Sequence, residues 1–130
     1  GKVVISDRYF DSSAAYQGAG RVLNPGEVAR ISRWATESLY PTLTILIDVP
    51  AEIGLGRLQS RDRLEAESND FHERVRQEYL QIAMMDPERY CVVDGTQPVN
   101  EIHRQITERV SELQALKRNS EPEKKKRFRK

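Results

Sequence analysis

Leu43-Thr44-Ile45-Leu46-Ile47-Asp48-Val49 is the stretch that decides the fold. It is apolar almost throughout, rich in β-branched residues and too short for a typical helix. Continuous rather than alternating hydrophobicity reads as a strand covered on both faces, as in a parallel sheet. Two further runs have the same character, Val3-Val4-Ile5 before it and Tyr90-Cys91-Val92-Val93-Asp94 after it, and each of the three leads into an acid. Between the first and second runs, Asn24-Pro25-Gly26-Glu27 supplies a helix N-cap, a proline at the first helical position and an acid at the third. Val28, Ile31, Ala35 and Leu39 follow at helical spacing. Between the second and third runs, a helix is predicted over Ile53 to Leu58. Another carries Phe71, Val75, Tyr79 and Ala83 on one face before Asp86-Pro87 stops it. Pro98 opens a last helix with Val99, Ile102, Ile106, Val110 and Leu113 aligned. Strands alternating with helices indicate a parallel α/β sheet, whose ligands bind beyond the carboxyl ends of the strands.

The 130 residues suit one domain, with 38% hydrophobic and 32% charged residues. No apolar run approaches the roughly 20 residues of a membrane span and no charged-then-apolar stretch follows Gly1, so the expectation is a soluble, unexported chain. The single cysteine, Cys91, cannot form an internal disulfide, so the expected compartment is the reducing cytoplasm. The formal charge of +1 conceals a split. Residues 117–130 hold eight basic residues and two acidic ones, a net of +6, which leaves −5 on residues 1–116. The expected organisation is therefore an acidic folded body, 1–116, and a basic tail, 117–130, with too few apolar residues to order itself.

The residues after the first run carry the richest chemistry. Asp7-Arg8-Tyr9 stands at its end, followed by Ser12, Ser13, Tyr16 and Gln17. An arginine there can present its planar fork to an anion, and the neighbouring carboxylate can hold Mg²⁺ or a bridging water. A bare Asp-Arg pair is more often an ion pair closing a turn. Asp11, however, can cap a short helix on which Ser12, Ser13 and Tyr16 share a turn, an arrangement suited to a nucleoside. Arg57, Arg61 and Arg63 form a second basic cluster. Arg57 and Arg61, four apart, would share a helix face and repel unless an anion such as a triphosphate intervenes, the alternative being an exposed helix balanced by Glu52, Asp62 and Glu65. Arg74 and Arg76 read as solvated helix positions, as do His72 and His103. Cys91 reads as core, and core is also the reading that the residues alone give Trp34.

The string Asp7-Arg8-Tyr9, Ser12-Ser13-Ala14-Ala15-Tyr16-Gln17-Gly18 resembles the signature of thymidylate kinases. The resemblance continues through Ile47-Asp48-Val49-Pro50-Ala51-Glu52, Arg61-Asp62-Arg63-Leu64-Glu65, Phe71-His72-Glu73-Arg74-Val75-Arg76 and Tyr79-Leu80, covering roughly residues 1–115. It implies a P-loop nucleoside monophosphate kinase-like parallel sheet flanked by helices. The implied reaction is Mg²⁺-dependent transfer of the ATP γ-phosphoryl group to dTMP, and the implied assembly a homodimer, by analogy with which Trp34 is core or part of the subunit interface. By the same resemblance Arg8 holds the dTMP phosphate and Asp7 organises Mg²⁺, water and the acceptor. Ser12 and Ser13 line the nucleotide site, Tyr16 presses on the sugar, and Gln17 lies near the thymine edge. Ser13 stands where some relatives carry Asn. Arg57, Arg61 and Arg63 match the lid that closes over ATP, and the loop Asp94-Gly95-Thr96 would lie near the adenine.

The phosphate loop Gly-x-x-x-x-Gly-Lys-Ser/Thr is not found in the 130 residues. The expectation is therefore a partial domain lacking its N-terminal strands, with little kinase activity of its own. Two other readings stay open: another kinase of nucleosides or nucleoside monophosphates, and a nucleic-acid or anionic-membrane binding module acting through Lys124-Lys125-Lys126-Arg127 and Arg129.

Overall fold

The computed structural model describes residues 2–20, 30, 34, 37, 39–57 and 68–120. Among the described residues, these elements can be given with their bounds, in order: α1 (Phe10–Gly20), β1 (Thr44–Asp48), α2 (Ala51–Gly56), α3 (Asn69–Met85), β2 (Tyr90–Asp94) and α4 (Val99–Ser120). The two strands pair in parallel with Thr44 opposite Tyr90 and Asp48 opposite Asp94. The apolar stretch around Ile45 is thus a strand, as is the run at Tyr90, and α2 and α3 lie in the connection between them. Parallel strands need such a crossover.

Local chemistry sets the helix ends. Ser68 is the N-cap of α3, and its Oγ accepts a hydrogen bond from the Phe71 N–H at 3.2 Å. At the other end Asp86 leaves the helical region at φ −138°, ψ 63°, as a residue before proline tends to do. In α4 the Pro98 carbonyl accepts the amides of Glu101 and Ile102, so the proline opens the helix where the sequence indicates.

The core lies between α1 and α3. Ala15, Ala19 and Val75 are buried there, with Tyr16, Phe71, Tyr79 and Ile82 packed around them. Two alanines four apart let the α3 backbone approach α1, and the Arg74 Nε–H donates to the Ala19 carbonyl at 2.8 Å. A buried Asp11 pairs bidentately with Arg89, Nη1 to Oδ2 at 2.8 Å and Nη2 to Oδ1 at 3.2 Å. This pair joins the head of α1 to the start of β2. Asp11 lies inside the first turn of α1 instead of capping it, because its carboxylate is committed to Arg89.

Several expectations need correction. Val3, Val4 and Ile5 form no strand: they are 82%, 87% and 92% exposed, and no described strand lies beside them. Strand preference expresses packing against neighbours, and a β-branched run without a paired neighbour stays extended and wet. The sheet among the described residues therefore has two strands, not three, and its faces are only partly covered, since Ile47 and Val92 are about half exposed. Cys91 is half-buried. The crossover helix predicted from Asn24 lies mostly outside the described residues. Arg30 and Trp34 are helical, Leu39 is not, and an exposed Trp34 is not core. The last helix runs through residues 117–120, past the boundary drawn at 116, and residues 121–130 lie outside the described set. No helix among the described residues is long and apolar enough to cross a membrane.

Candidate functional site

The residues singled out after Ile5 gather where the chain enters α1. Arg8 has φ +61°, in the left-handed region that disfavours a residue with a Cβ by about 1–2 kcal/mol. Ser6 Oγ donates to the Arg8 carbonyl at 2.8 Å across this turn, and the Ser12 amide then closes the first turn of α1 onto the Tyr9 carbonyl. Such outliers cluster at functional sites, although Glu37, at φ +50°, shares the conformation, so it is the chemistry of the residues around Arg8 that singles this turn out. The result is an exposed Arg8 whose guanidinium lies 5.6 Å from the centre of the Tyr16 ring, a cation–π distance. Tyr16 in turn rests on Phe71 of α3, with ring centres 6.2 Å apart.

Ser12 is fixed from the other helix. The Tyr79 hydroxyl donates to Ser12 Oγ at 2.6 Å, and burial pushes the Tyr79 phenol above its ordinary pKa, so it remains a donor throughout the neutral range. Asp7 and Ser13 are exposed. Gln17 is half-buried, with its Oε1 enclosed and unpartnered in the described structure. Arg8, Ser12, Tyr16 and Gln17 are thus all presented by one turn and one helix, on which Tyr79 and Phe71 fix two of them.

The arginine cluster is divided differently. α2 ends at Gly56, so Arg57 is the helix C-cap and not a position on its face. Its Nη1 donates to the Gly95 carbonyl at 3.2 Å, which ties it to the loop following β2. Arg61 and Arg63 lie outside the described residues. In the loop itself the Thr96 amide and hydroxyl both bond Asp94 Oδ1, holding the Asp94 carboxyl below the usual carboxylate range. Gly95 is required here for a close approach: a Cβ would come within 2.3 Å of Val49 Cγ2 and 2.6 Å of Ile47 Cγ2.

Two positions read as solvated prove to be engaged. Arg76 makes a bidentate pair with Asp48, the last residue of β1, at 2.7 and 3.0 Å, and bonds Glu73 at 3.0 Å. Arg74 holds the Ala19 carbonyl. The signal for Asp48 was its place at a strand's carboxyl end; nothing in a helical period indicates which of its charges meets a strand. His72 is half-buried against Phe71, with Nε2 enclosed. His103 is exposed, as expected.

A family model described as Thymidylate kinase matches residues 1–106. The chain belongs to the thymidylate kinase family. It is 49% identical to the thymidylate kinase of Cutibacterium acnes over 113 residues, 87% of this chain and 55% of that protein. It is 54% identical to the Leifsonia xyli thymidylate kinase over 110 residues, covering 82% and 52% of the two chains, and 50% identical to that of Clavibacter michiganensis over 117 residues, covering 87% and 56%. The chain therefore spans about half the length of these curated thymidylate kinases. The matched segment includes the Arg8 turn, α1, both strands, α2 and α3.

Proposed function

We propose that this chain supplies the acceptor-nucleotide side of a cytoplasmic thymidylate kinase with a P-loop nucleoside monophosphate kinase fold, which transfers the ATP γ-phosphoryl group to dTMP. The observation that carries the reading is the left-handed Arg8 turn, which sets a guanidinium over Tyr16 at the head of a helix bearing Ser12 and Gln17. The phosphate of dTMP has a second pKa near 6 and is largely dianionic at pH 7, so it needs no strong base. Catalysis is then positioning and charge neutralisation. Arg8 grips the acceptor phosphate with its fork, and Tyr16, braced by Phe71, offers a ring against the sugar. Ser12 Oγ, already accepting from Tyr79, has its proton left to donate to the nucleotide. Arg57, bonded to the loop after β2, is the residue we assign to ATP, on its match to the family's lid.

Mg²⁺ keeps several waters and is commonly held by one or two carboxylates plus substrate phosphates, so a single exposed carboxylate beside the phosphate-binding arginine fits it. Asp7, exposed beside Arg8, is the residue that would hold it through water, and the ion would neutralise charge on the transferring group. A homodimer is the assembly proposed for the whole enzyme, and the exposed Trp34 supports it as an interface residue.

The test is calorimetric titration of the chain with dTMP, dUMP, dCMP and thymidine. The expected order places dTMP first, with affinity reduced at least about tenfold by Arg8→Gln, the effect of losing one charge-assisted pair. Equal affinity for thymidine and dTMP would refute Arg8 as the phosphate ligand. Preference for dCMP would move the chain to another nucleotide kinase.

A further inference from the structure

α2 is only six residues long, and its N-cap is Pro50, whose side chain offers no acceptor to the first turn. Helices this short do not persist on their own propensity, and their free amides need acceptors from elsewhere. The acceptor comes from α3: Glu73 Oε2 takes the Ala51 N–H at 3.4 Å. Glu73 is itself held by Arg76 Nη1 at 3.0 Å and by Gln77 Nε2 at 3.0 Å. Its carboxyl lies below the ordinary range because of the Gln77 and Ala51 hydrogen bonds and the Arg76 charge, so it stays ionised and accepting. The remaining edge of the Arg76 fork spans both oxygens of Asp48, three residues before Ala51. One guanidinium therefore fixes the strand end on one side of the Val49-Pro50 turn and the helix start on the other. At the far end of α2, Arg57 reaches the Gly95 carbonyl.

We propose that Arg76 is a positioning residue for Arg57. Through Asp48 and Glu73 it sets the direction in which α2 leaves the sheet, and so the place where α2 delivers Arg57 beside the loop after β2. The functional part of this inference rests on the reading that Arg57 faces ATP; the mechanical part does not.

The experiment uses the 130-residue chain and site-resolved amide hydrogen exchange. In Arg76→Gln, the amides of Ala51, Gly54 and Arg57 should exchange about tenfold faster, while those of β2 and α4 keep their wild-type rates. Arg76→Lys should restore part of the protection, since an ammonium can meet one carboxylate but cannot span two. Adding Asp48→Asn to Arg76→Gln should change nothing further. Unchanged rates at residues 51–57 would overturn the proposal. So would an equal rise across α3, β2 and α4, which marks a residue that only stabilises the fold. In calorimetric titrations of the same chain, Arg76→Gln should weaken ATP binding several-fold and leave dTMP binding unaltered. A matching loss in both would also overturn it. A wild-type chain that binds dTMP but not ATP would count against Arg57 as an ATP residue alone, and the exchange rates would still decide the clamp.

Discussion

Removing Arg89 tests whether the head of α1 is held by charge or merely by packing. Its side chain is 12% exposed and that of Asp11 is 9% exposed, so the pair is nearly dry. Burial lowers the Arg89 pKa, but the Asp11 and Asp86 carboxylates outweigh it and raise the group above its ordinary value. Arg89 also donates to Thr44 Oγ1 at 3.0 Å, and its guanidinium lies 4.6 Å from the Tyr90 ring centre and 5.5 Å from that of Phe10. Arg89→Ala leaves Asp11 charged, buried and unpaired, a change that costs about 3–5 kcal/mol in buried pairs. The residual exposure of Asp11 places this case near the lower end, about 3 kcal/mol. Asp11→Asn should cost less, about 1–2 kcal/mol, because Arg89 keeps Asp86 at 2.8 Å and both rings. Asp11→Leu with Arg89→Met replaces both charges by apolar groups and should recover most of the loss. Urea unfolding followed by circular dichroism measures all three. With m of about 1–3 kcal/mol/M, Arg89→Ala should move the midpoint down by about 1–3 M. A loss below about 1 kcal/mol for Arg89→Ala would refute the argument. So would a double variant no more stable than Arg89→Ala.

Gly95→Ala should destabilise the chain by about 1–3 kcal/mol in the same assay, because the new Cβ meets Val49 and Ile47 side chains. Gly56→Ala, with nothing within 4 Å of its Cβ, is the control and should cost nothing of that size. In alkaline titration followed by tyrosinate absorbance, Tyr79 and Tyr90 should ionise later than the ordinary pKa near 10. Burial raises both phenols, and the Asp11 carboxylate raises Tyr90 further. The native state therefore binds more protons above pH 10, and stability should fall as pH rises past that point. Tyr79→Phe and Tyr90→Phe should each remove part of the late absorbance change. Tyr79→Phe should also cost about 1 kcal/mol for the lost Ser12 bond, measured by thermal unfolding.

What the sequence showed most clearly was local. Ser68, Asp86-Pro87 and Pro98 set helix ends through bonds within a few residues, so α3 and the start of α4 were readable from pattern. The strands at Ile45 and Val92 were readable because each finds the other. Val3 to Ile5 carries the same signal without a paired neighbour, and composition does not report what lies alongside. In the site, residue types at Arg8, Ser12, Tyr16 and Gln17 were visible, but the turn that aims Arg8 is a backbone conformation with no composition of its own. Asp48 with Arg76 and Asp11 with Arg89 were hidden for a different reason. Helical spacing places a charge on a face without naming its partner 28 or 78 residues away.

That last separation bears on how the chain is made. Asp11 leaves the ribosome 78 residues before Arg89, an interval of about 4–16 s at ordinary elongation rates. Through most of that interval α1 has neither its ion pair nor the face of α3, since Tyr79 follows Ser12 by 67 residues. Helix formation takes microseconds or less, so α3 forms as soon as it emerges and α1 can dock on it within milliseconds. Arg89, which locks α1 to the sheet, arrives after both helices, so the candidate site is fixed only when β2 has been synthesised.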